Sequence, residues 1–151
     1  MTELLLKRDD ALGDDALAMI AESEEELLSL YAPEHHFAFS PEQLTDAGVV
    51  FFTAYVDGRV VGCGGMAPCD GYGELKRIFV TKPERGKRIA AEIVAALEQE
   101  ARTLGLSRMM LETGIDSPEA IRAYERLGYT RCGPFGDYED NGVSVFMEKA
   151  L

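Results

Sequence analysis

Residues 73–105 read GELKRIFVTKPERGKRIAAEIVAALEQEARTLG, and the architecture of the chain can be worked out from this stretch. Its first part, residues 75–80, is rich in β-branched and aromatic side chains and predicts a strand. From Ile89 onward, apolar residues recur at spacings of four and three, which is the pattern of one helix face. Gly105 follows the last of them, where a left-handed helix cap is common. We therefore predict a strand that leads through a short basic turn into a helix.

The turn between this strand and this helix is suited to binding an anion. Arg85-Gly86-Lys87-Arg88 comes just before the first helical turn, whose backbone N–H groups have no partner within the helix. Those N–H groups and the positive end of the helix dipole attract a phosphate, and a glycine lets it approach the backbone. Residues 76–88 hold six Lys or Arg and one Glu, although the whole chain has a net charge of −12. This pattern predicts an anion site without identifying the anion.

Length and composition fit one globular domain over residues 1–151. No apolar run is long enough to span a membrane, and the strongly negative net charge disfavours nucleic-acid and anionic-membrane partners. Cys63, Cys69 and Cys132 are too few and too scattered for a disulfide framework or a zinc site. We expect a cytoplasmic protein without a metal and with neither nucleic acid nor membrane as partner.

The remaining sequence alternates strand and helix patterns. Strands are predicted at residues 2–8, 49–56, 60–66, 108–113, 129–132 and 142–148, and helices at 14–31, from Ser40-Pro41 and from Ser117-Pro118. This order of elements is typical of a mixed α/β (α+β) fold around one sheet. The run Gly62-Cys63-Gly64-Gly65 leaves little side-chain bulk on its strand and permits close approach by a neighbouring backbone.

Two motifs resemble the GCN5-related N-acetyltransferase (GNAT) superfamily. Arg85-Gly86-Lys87-Arg88-Ile89-Ala90 is similar to that family's acyl-CoA signature, Gln/Arg-x-x-Gly-x-Gly/Ala, except that Arg88 replaces the central glycine. Residues 117–129, SPEAIRAYERLGY, are similar to its Asn-x-x-Ala-x-x-x-Tyr-x-x-x-Gly-Phe segment, with a serine in place of the asparagine. The element order also matches over nearly the whole chain. The resemblance implies a mixed, mostly antiparallel seven-stranded sheet flanked by about four helices, which is the acyl-CoA N-acyltransferase fold.

The same resemblance implies an enzyme that moves an acetyl group from acetyl-CoA, its co-substrate, to a primary amine of a small molecule or peptide. The amine would attack directly in a ternary complex. The backbone of the central strand would pair with the pantetheine arm, and the basic turn would hold the pyrophosphate. The CoA-binding residues implied in this way are Ile78, Phe79, Val80, Arg85, Gly86, Lys87, Arg88, Ile89, Ala90 and Ser117.

Three residues are candidates for proton transfer. Tyr124 matches the family's tyrosine near the thioester sulfur, where it would protonate the departing thiolate, although its helical spacing alone is typical of a core aromatic. A lysine-like amine has a pKa of about 10.4 and must lose a proton before it attacks. Glu74, at the start of the central strand, matches a position where some family members place the base, and it could equally pair with Lys76. Glu112 on the fifth strand is the second candidate for the base.

The acceptor site is implied to lie near two loops. In the resembled family a loop between the first two helices borders the acceptor, which makes Tyr31, Glu34, His35 and His36 candidates for substrate binding. Adjacent histidines without a carboxylate or thiol at ligand spacing do not predict a metal site. The loop before the last strand, with Asp137, Tyr138 and Asp140, suits a cationic amine.

One alternative to an enzyme is a module that binds acyl-CoA and regulates something else with little or no turnover. The arginine in place of the motif glycine leaves room for this alternative, because a side chain replaces the open backbone near the pyrophosphate and either adds a cation or weakens the site. Detectable acetyl transfer would argue against it. Monomer and homodimer both remain open.

Overall fold

One mixed sheet organises the protein, which a computed structural model describes over residues 3–9, 11–30 and 48–151. Three helices lie in the described residues: α1 (Asp14–Leu30), α2 (Ile89–Thr103) and α3 (Pro118–Arg126). The strands are β1 (Leu4–Arg8), β2 (Val50–Val56), β3 (Arg59–Pro68), β4 (Tyr72–Val80), β5 (Arg108–Gly114), β6 (Thr130–Cys132) and β7 (Ser144–Ala150). Their order in the sheet is β1-β2-β3-β4-β5-β7-β6, and β4–β5 is the parallel pair.

This architecture confirms the predicted mixed, mostly antiparallel seven-stranded sheet. The helix predicted from Ser40 lies outside the described residues. No helix in the described ranges is long and apolar enough to cross a bilayer.

Strand β4 begins at Tyr72, three residues before the predicted start. The sequence Gly71-Tyr72-Gly73 has the composition of a turn, but Tyr72 and Gly73 pair with β5, and Gly73 also pairs with β3. A Cβ atom at Gly73 would lie 2.9 Å from the side chain of Met66. Gly73, which weakens the strand pattern in the sequence, therefore leaves space that the Met66 side chain occupies.

The core lies on both faces of the sheet. On one face α2 buries Ile93, Leu97 and Ala101, which are each 0% exposed and belong to the stripe that the sequence predicted. Leu104, the last residue of that stripe, is 53% exposed because the helix has ended there and the residue serves as its C-cap. On the other face α1 packs against a smaller apolar cluster that includes Cys63, whose thiol pKa burial raises to about 12.

The glycines of β3 allow an irregular β4 to lie close to it. A Cβ atom at Gly62 would come within 2.8 Å of the carbonyl oxygen of Phe79, which confirms the predicted close backbone approach. The pairing register between the two strands shifts between Cys63 and Gly65, and Arg77 opposite this shift has a φ of 56°. A bulge of this kind bends a strand and re-aims its side chains. It lies where β4 starts to border a cleft.

Candidate active site

Strands β4 and β5 separate to form a large cleft. They pair only where Tyr72–Glu74 meets Arg108–Met110, and beyond these residues the two strands have no ladder between them. The cleft has a volume of about 980 Å³. Its walls are the outer halves of both strands, the turn before α2, and parts of α1 and α3. It therefore leaves the backbone edge of β4 open to a ligand.

The turn before α2 presents backbone donors to this cleft. No described residue accepts a hydrogen bond from the backbone N–H groups of residues 86–91. Gly86 has a φ of 83° and Arg88 a φ of 66°, so both residues adopt the left-handed conformation and let the chain turn sharply into the helix. Unpaired N–H groups at the positive end of a helix dipole form an anion site.

Nine of the ten predicted CoA-binding residues line this one cleft: Ile78, Phe79, Val80, Arg85, Gly86, Arg88, Ile89, Ala90 and Ser117. Lys87 is the exception: it does not line the cleft, and its contact with the pyrophosphate stays a prediction. Its ammonium lies 2.9 Å from the carboxylate of Glu84. A pair three residues apart on one turn forms locally, so this cation is engaged by a neighbouring carboxylate.

The six cations of residues 76–88 do not form one cluster. The Arg85 guanidinium makes a two-pronged ion pair with Glu26 of α1 and donates through Nε to the carbonyl oxygen of Val80. The Arg77 side chain is 3% exposed and lies 2.7 Å from the Glu24 carboxylate. Both arginines therefore connect α1 to the cleft wall through ion pairs. Arg88 is exposed and lines the cleft, and its guanidinium makes no hydrogen bond to a described residue.

Tyr124 lies on α3, and its side chain reaches the cleft. Its ring packs edge-on against Tyr129 at a centroid distance of 5.9 Å. The ring therefore has the core packing that its helical spacing is typical of. The hydroxyl group makes no hydrogen bond within the described part of the chain. Burial raises the pKa of this hydroxyl above its usual value, and the nearby Glu112 charge raises it further. The group therefore stays protonated at neutral pH and is able to donate a proton.

The two candidate bases lie in different surroundings. Glu112 lines the cleft, and burial raises the pKa of its carboxyl group. The Glu74 carboxylate does not line the cleft: its Oε2 lies 2.7 Å from the ammonium of Lys76 and accepts a hydrogen bond from the Tyr138 hydroxyl at 2.6 Å. The structure therefore places Glu74 in the ion pair that the sequence allowed as its other role.

Ser144 is a cleft residue that the sequence reasoning missed. Its hydroxyl group donates to Glu112 Oε2 at 2.7 Å. A lone serine at the start of the last strand gives no signal in the sequence, because the contact depends on β7 pairing with β5.

The chain matches the family model described as the acetyltransferase (GNAT) family over residues 16–129. It belongs to this family. A curated relative, the IAA acetyltransferase of Azospirillum brasilense, is 37% identical over 153 residues, which cover 100% of both chains. This GNAT protein is thus an acyl-CoA-dependent N-acetyltransferase.

Solved GNAT structures agree with this assignment. A Klebsiella pneumoniae protein classed as an acyl-CoA N-acyltransferase superposes with a TM-score of 0.83 at 29% identity, covering 98% of this chain and 97% of that one. The PaiA N-acetyltransferase of Thermoplasma acidophilum, solved in complex with coenzyme A, has a TM-score of 0.74 over 99% of both chains. At 16% identity, its likeness establishes the shared fold alone.

Arg88 occupies the position at which the GNAT signature has glycine, and its left-handed backbone shows why glycine suits it. An L-residue other than glycine costs about 1–2 kcal/mol in this conformation, partly offset by the greater entropy that glycine loses on folding. We expect Arg88→Gly to raise the free energy of unfolding by about 0.5–1 kcal/mol, measured by urea denaturation. Loss of the cation is expected to weaken acetyl-CoA binding about two- to fivefold.

Lys87→Ala is the matched control for this substitution, because it removes a neighbouring cation that does not line the cleft and is paired with Glu84. It is expected to leave acetyl-CoA binding almost unchanged. Equal weakening by both substitutions would show that only the net charge of the turn matters.

Proposed function

We propose that this GNAT protein transfers the acetyl group of acetyl-CoA to a primary amine of a small molecule or peptide. The observation that carries the proposal is the cleft between β4 and β5. It brings a turn with unpaired backbone N–H groups, an open strand edge, a protonated tyrosine and a carboxylate of raised pKa into one continuous site. The PaiA relative was solved with coenzyme A, and it shares this fold.

The donor is proposed to bind along the cleft in the order of its chemical groups. The pyrophosphate accepts hydrogen bonds from the free N–H groups of residues 86–91, with Arg88 as a nearby cation. The pantetheine arm carries amides that pair with the open backbone edge of Ile78, Phe79 and Val80 in the manner of an added strand. The thioester then lies deeper in the cleft, towards Tyr124 and Glu112.

The proposed reaction is a direct attack within the ternary complex. The ammonium form of the acceptor first gives a proton to Glu112, and the neutral amine attacks the thioester carbonyl carbon. A C–N bond forms, the C–S bond breaks, and the electron pair leaves on sulfur. The thiolate takes the proton of the Tyr124 hydroxyl, and the tyrosinate recovers a proton from the new amide nitrogen. The products are an amide, free CoA and one proton, which leaves from Glu112.

Glu112 is proposed as the base because it satisfies geometry and chemistry together. It lines the cleft opposite the open edge of β4, and its raised pKa brings it closer to the pKa of the amine. The Glu74 carboxylate is held by Lys76 and Tyr138 outside the cleft, where it would have to break an ion pair to accept a proton.

The acceptor is proposed to enter from the end of α1. Leu27 and Leu30 of its last turn line the cleft, together with Val143 before β7. The predicted acceptor residues Tyr31, Glu34, His35 and His36 lie outside the described residues. They follow Leu30 along the chain, and we propose that they contact the amine.

The test combines a binding assay with a transfer assay. A ligand present at one hundred times its Kd stabilises a protein by about 2.7 kcal/mol, so thermal shifts with acetyl-CoA, CoA, ATP and NAD identify the donor. Release of free CoA is then followed with a panel of primary amines that includes amino acids, polyamines, aminoalkyl compounds and peptides. We expect a thermal shift with the CoA ligands alone, and amine-dependent CoA release with at least one acceptor.

Two results would contradict the proposal in different ways. Absence of any shift with acetyl-CoA would remove the donor assignment. A clear shift with no CoA release from any amine would instead favour the module that binds acyl-CoA without turnover.

A further inference from the structure

We propose that Ser144 is a positioning residue for Glu112, and that Asn141 holds the serine in the orientation through which it acts. The inference deepens the proposed function, since it rests on Glu112 serving as the base. It assigns a catalytic contribution to the segment that leads from β6 into β7.

The register of the sheet brings Ser144 and Glu112 together. Strands β5 and β7 are antiparallel, with Glu112 opposite Phe146 and Gly114 opposite Ser144. Side chains two residues apart on a strand point to the same face, so Ser144 and Phe146 lie on the face that also carries Glu112. The serine hydroxyl reaches diagonally across the ladder and donates to Glu112 Oε2 at 2.7 Å.

Asn141 holds Ser144 beside the carboxylate. Its Oδ1 accepts the backbone N–H groups of Val143 at 2.9 Å and Ser144 at 2.8 Å, and two donors require an oxygen at that position. The amide nitrogen of Asn141 must therefore be the atom that lies 3.2 Å from Ser144 Oγ, where it donates. An ionised carboxylate only accepts hydrogen bonds, so the serine hydroxyl donates its proton to Glu112 while its oxygen accepts from Asn141.

This arrangement leaves the two oxygens of Glu112 with different roles. Oε2 is held by the serine, while Oε1 makes no hydrogen bond to any residue in the described ranges. The other charged or titratable groups that act on this carboxylate are Lys76 and Glu74 from β4, Tyr124 from α3 and Tyr138 from the loop before β7. Within the described residues, Ser144 is its one hydrogen-bond partner, so we infer that Ser144 turns Oε1 towards the amine.

The serine also opposes the effect of burial on the carboxyl group. A hydrogen bond donated to the ionised form lowers a carboxyl pKa, whereas burial raises it. Without the serine hydroxyl, the pKa of Glu112 should rise further and the carboxylate should lose its fixed orientation. The base would then be protonated over a wider pH range and less well aimed where it is ionised.

The experiment compares Ser144→Ala, Ser144→Thr and Asn141→Ala in the full chain. The pKa of Glu112 is read by carbon-13 NMR of glutamate labelled at the side-chain carboxyl, with the resonance assigned by its loss in Glu112→Gln. The second readout is the pH profile of kcat/KM with the amine from the panel that is acetylated fastest. Melting temperatures establish that each variant is folded.

We expect Ser144→Ala to raise the pKa of Glu112 by about one pH unit, since a single hydrogen bond to a charged group has that effect. The acidic limb of the pH profile should move upward by the same amount. At its plateau kcat should fall about tenfold, the cost of a poorly oriented base, with the KM for acetyl-CoA unchanged. Ser144→Thr keeps the hydroxyl group, so the pKa of Glu112 and kcat should both stay near their wild-type values. In Asn141→Ala, the pKa and kcat should lie between those of the Ser144→Ala and Ser144→Thr variants.

An unchanged Glu112 pKa in Ser144→Ala would overturn the inference, as would an equal loss of kcat in the alanine and threonine variants. The NMR titration requires no acceptor, so it tests the positioning contact even if no amine in the panel is acetylated. Failure of the proposed function would therefore show as absent turnover with a shifted pKa. Failure of the present inference would show as a pKa that does not move.

Discussion

Replacing Tyr124 by phenylalanine is expected to lower kcat by about 10²–10⁴-fold, the usual contribution of a positioned acid or base. The hydroxyl group lies at the cleft and makes no hydrogen bond within the described residues, so its removal should cost the fold little. Burial keeps its pKa above the usual tyrosine value, and at neutral pH the proton is available for the departing thiolate. The KM for acetyl-CoA should stay within about twofold, because the phenyl ring preserves the packing.

Tyr129→Phe is the matched control for this substitution. It removes a hydroxyl group from the neighbouring ring, but that hydroxyl donates to the buried carboxylate of Glu98 at 2.8 Å. The control variant should therefore lose stability, by about 1–3 kcal/mol, and keep its kcat. Kinetics and urea denaturation of both variants separate the two effects. A Tyr124→Phe variant that retains full kcat would show that Tyr124 only packs in the core and does not donate a proton.

The second large effect is expected at the ion pair of Glu74 and Lys76. The lysine side chain is 5% exposed and the glutamate side chain 9%, with 2.7 Å between ammonium and carboxylate. Removing one partner of a buried ion pair costs about 3–5 kcal/mol, because the other charge stays buried and loses the attraction that offset its burial. We expect Glu74→Ala to destabilise the protein by that amount, measured as the free energy of unfolding in urea.

A double variant separates this structural role from catalysis. A buried ion pair can often be replaced by apolar residues of similar size at little cost, so Glu74→Leu with Lys76→Met should recover most of the lost stability. If Glu74 only holds the fold, the double variant should also recover most of kcat. A stable double variant whose kcat stays about 10² or more below that of the wild type would instead return Glu74 to the role of base.

Tyr138 links this pair to the loop before β7. Its hydroxyl group accepts a hydrogen bond from Lys76 at 2.8 Å and donates one to Glu74 at 2.6 Å, and its ring packs against Phe135 and Phe146. The sequence suggested that Tyr138 faces a cationic amine. In the fold it binds the protein's own lysine, while the segment that follows it presents Asn141 and Ser144 near Glu112.

Local patterns were sufficient for most of the fold. The spacing of Ile93, Leu97 and Ala101 predicted the buried face of α2, because helical periodicity depends only on neighbouring residues. Gly105 ends that helix with a φ of 79°, as its position after the apolar stripe predicted. The two motifs, each contiguous in sequence, likewise predicted the family and contain six of the nine predicted residues that line the cleft; Ile78, Phe79 and Val80 were implied by the family resemblance.

Those local patterns could not predict contacts between residues far apart in the sequence. The basic turn was predicted to be a cluster of six cations, but Arg77 and Arg85 pair with α1 carboxylates that precede them by 53 and 59 residues. Local sequence patterns also could not distinguish between the two candidate bases. Glu74 and Glu112 both lie on strands, and the separation of β4 from β5 beyond Glu74 decides which carboxylate borders the cleft. Charge pairing and strand separation arise only when distant segments pack, whereas helix periodicity and turn chemistry arise along the chain.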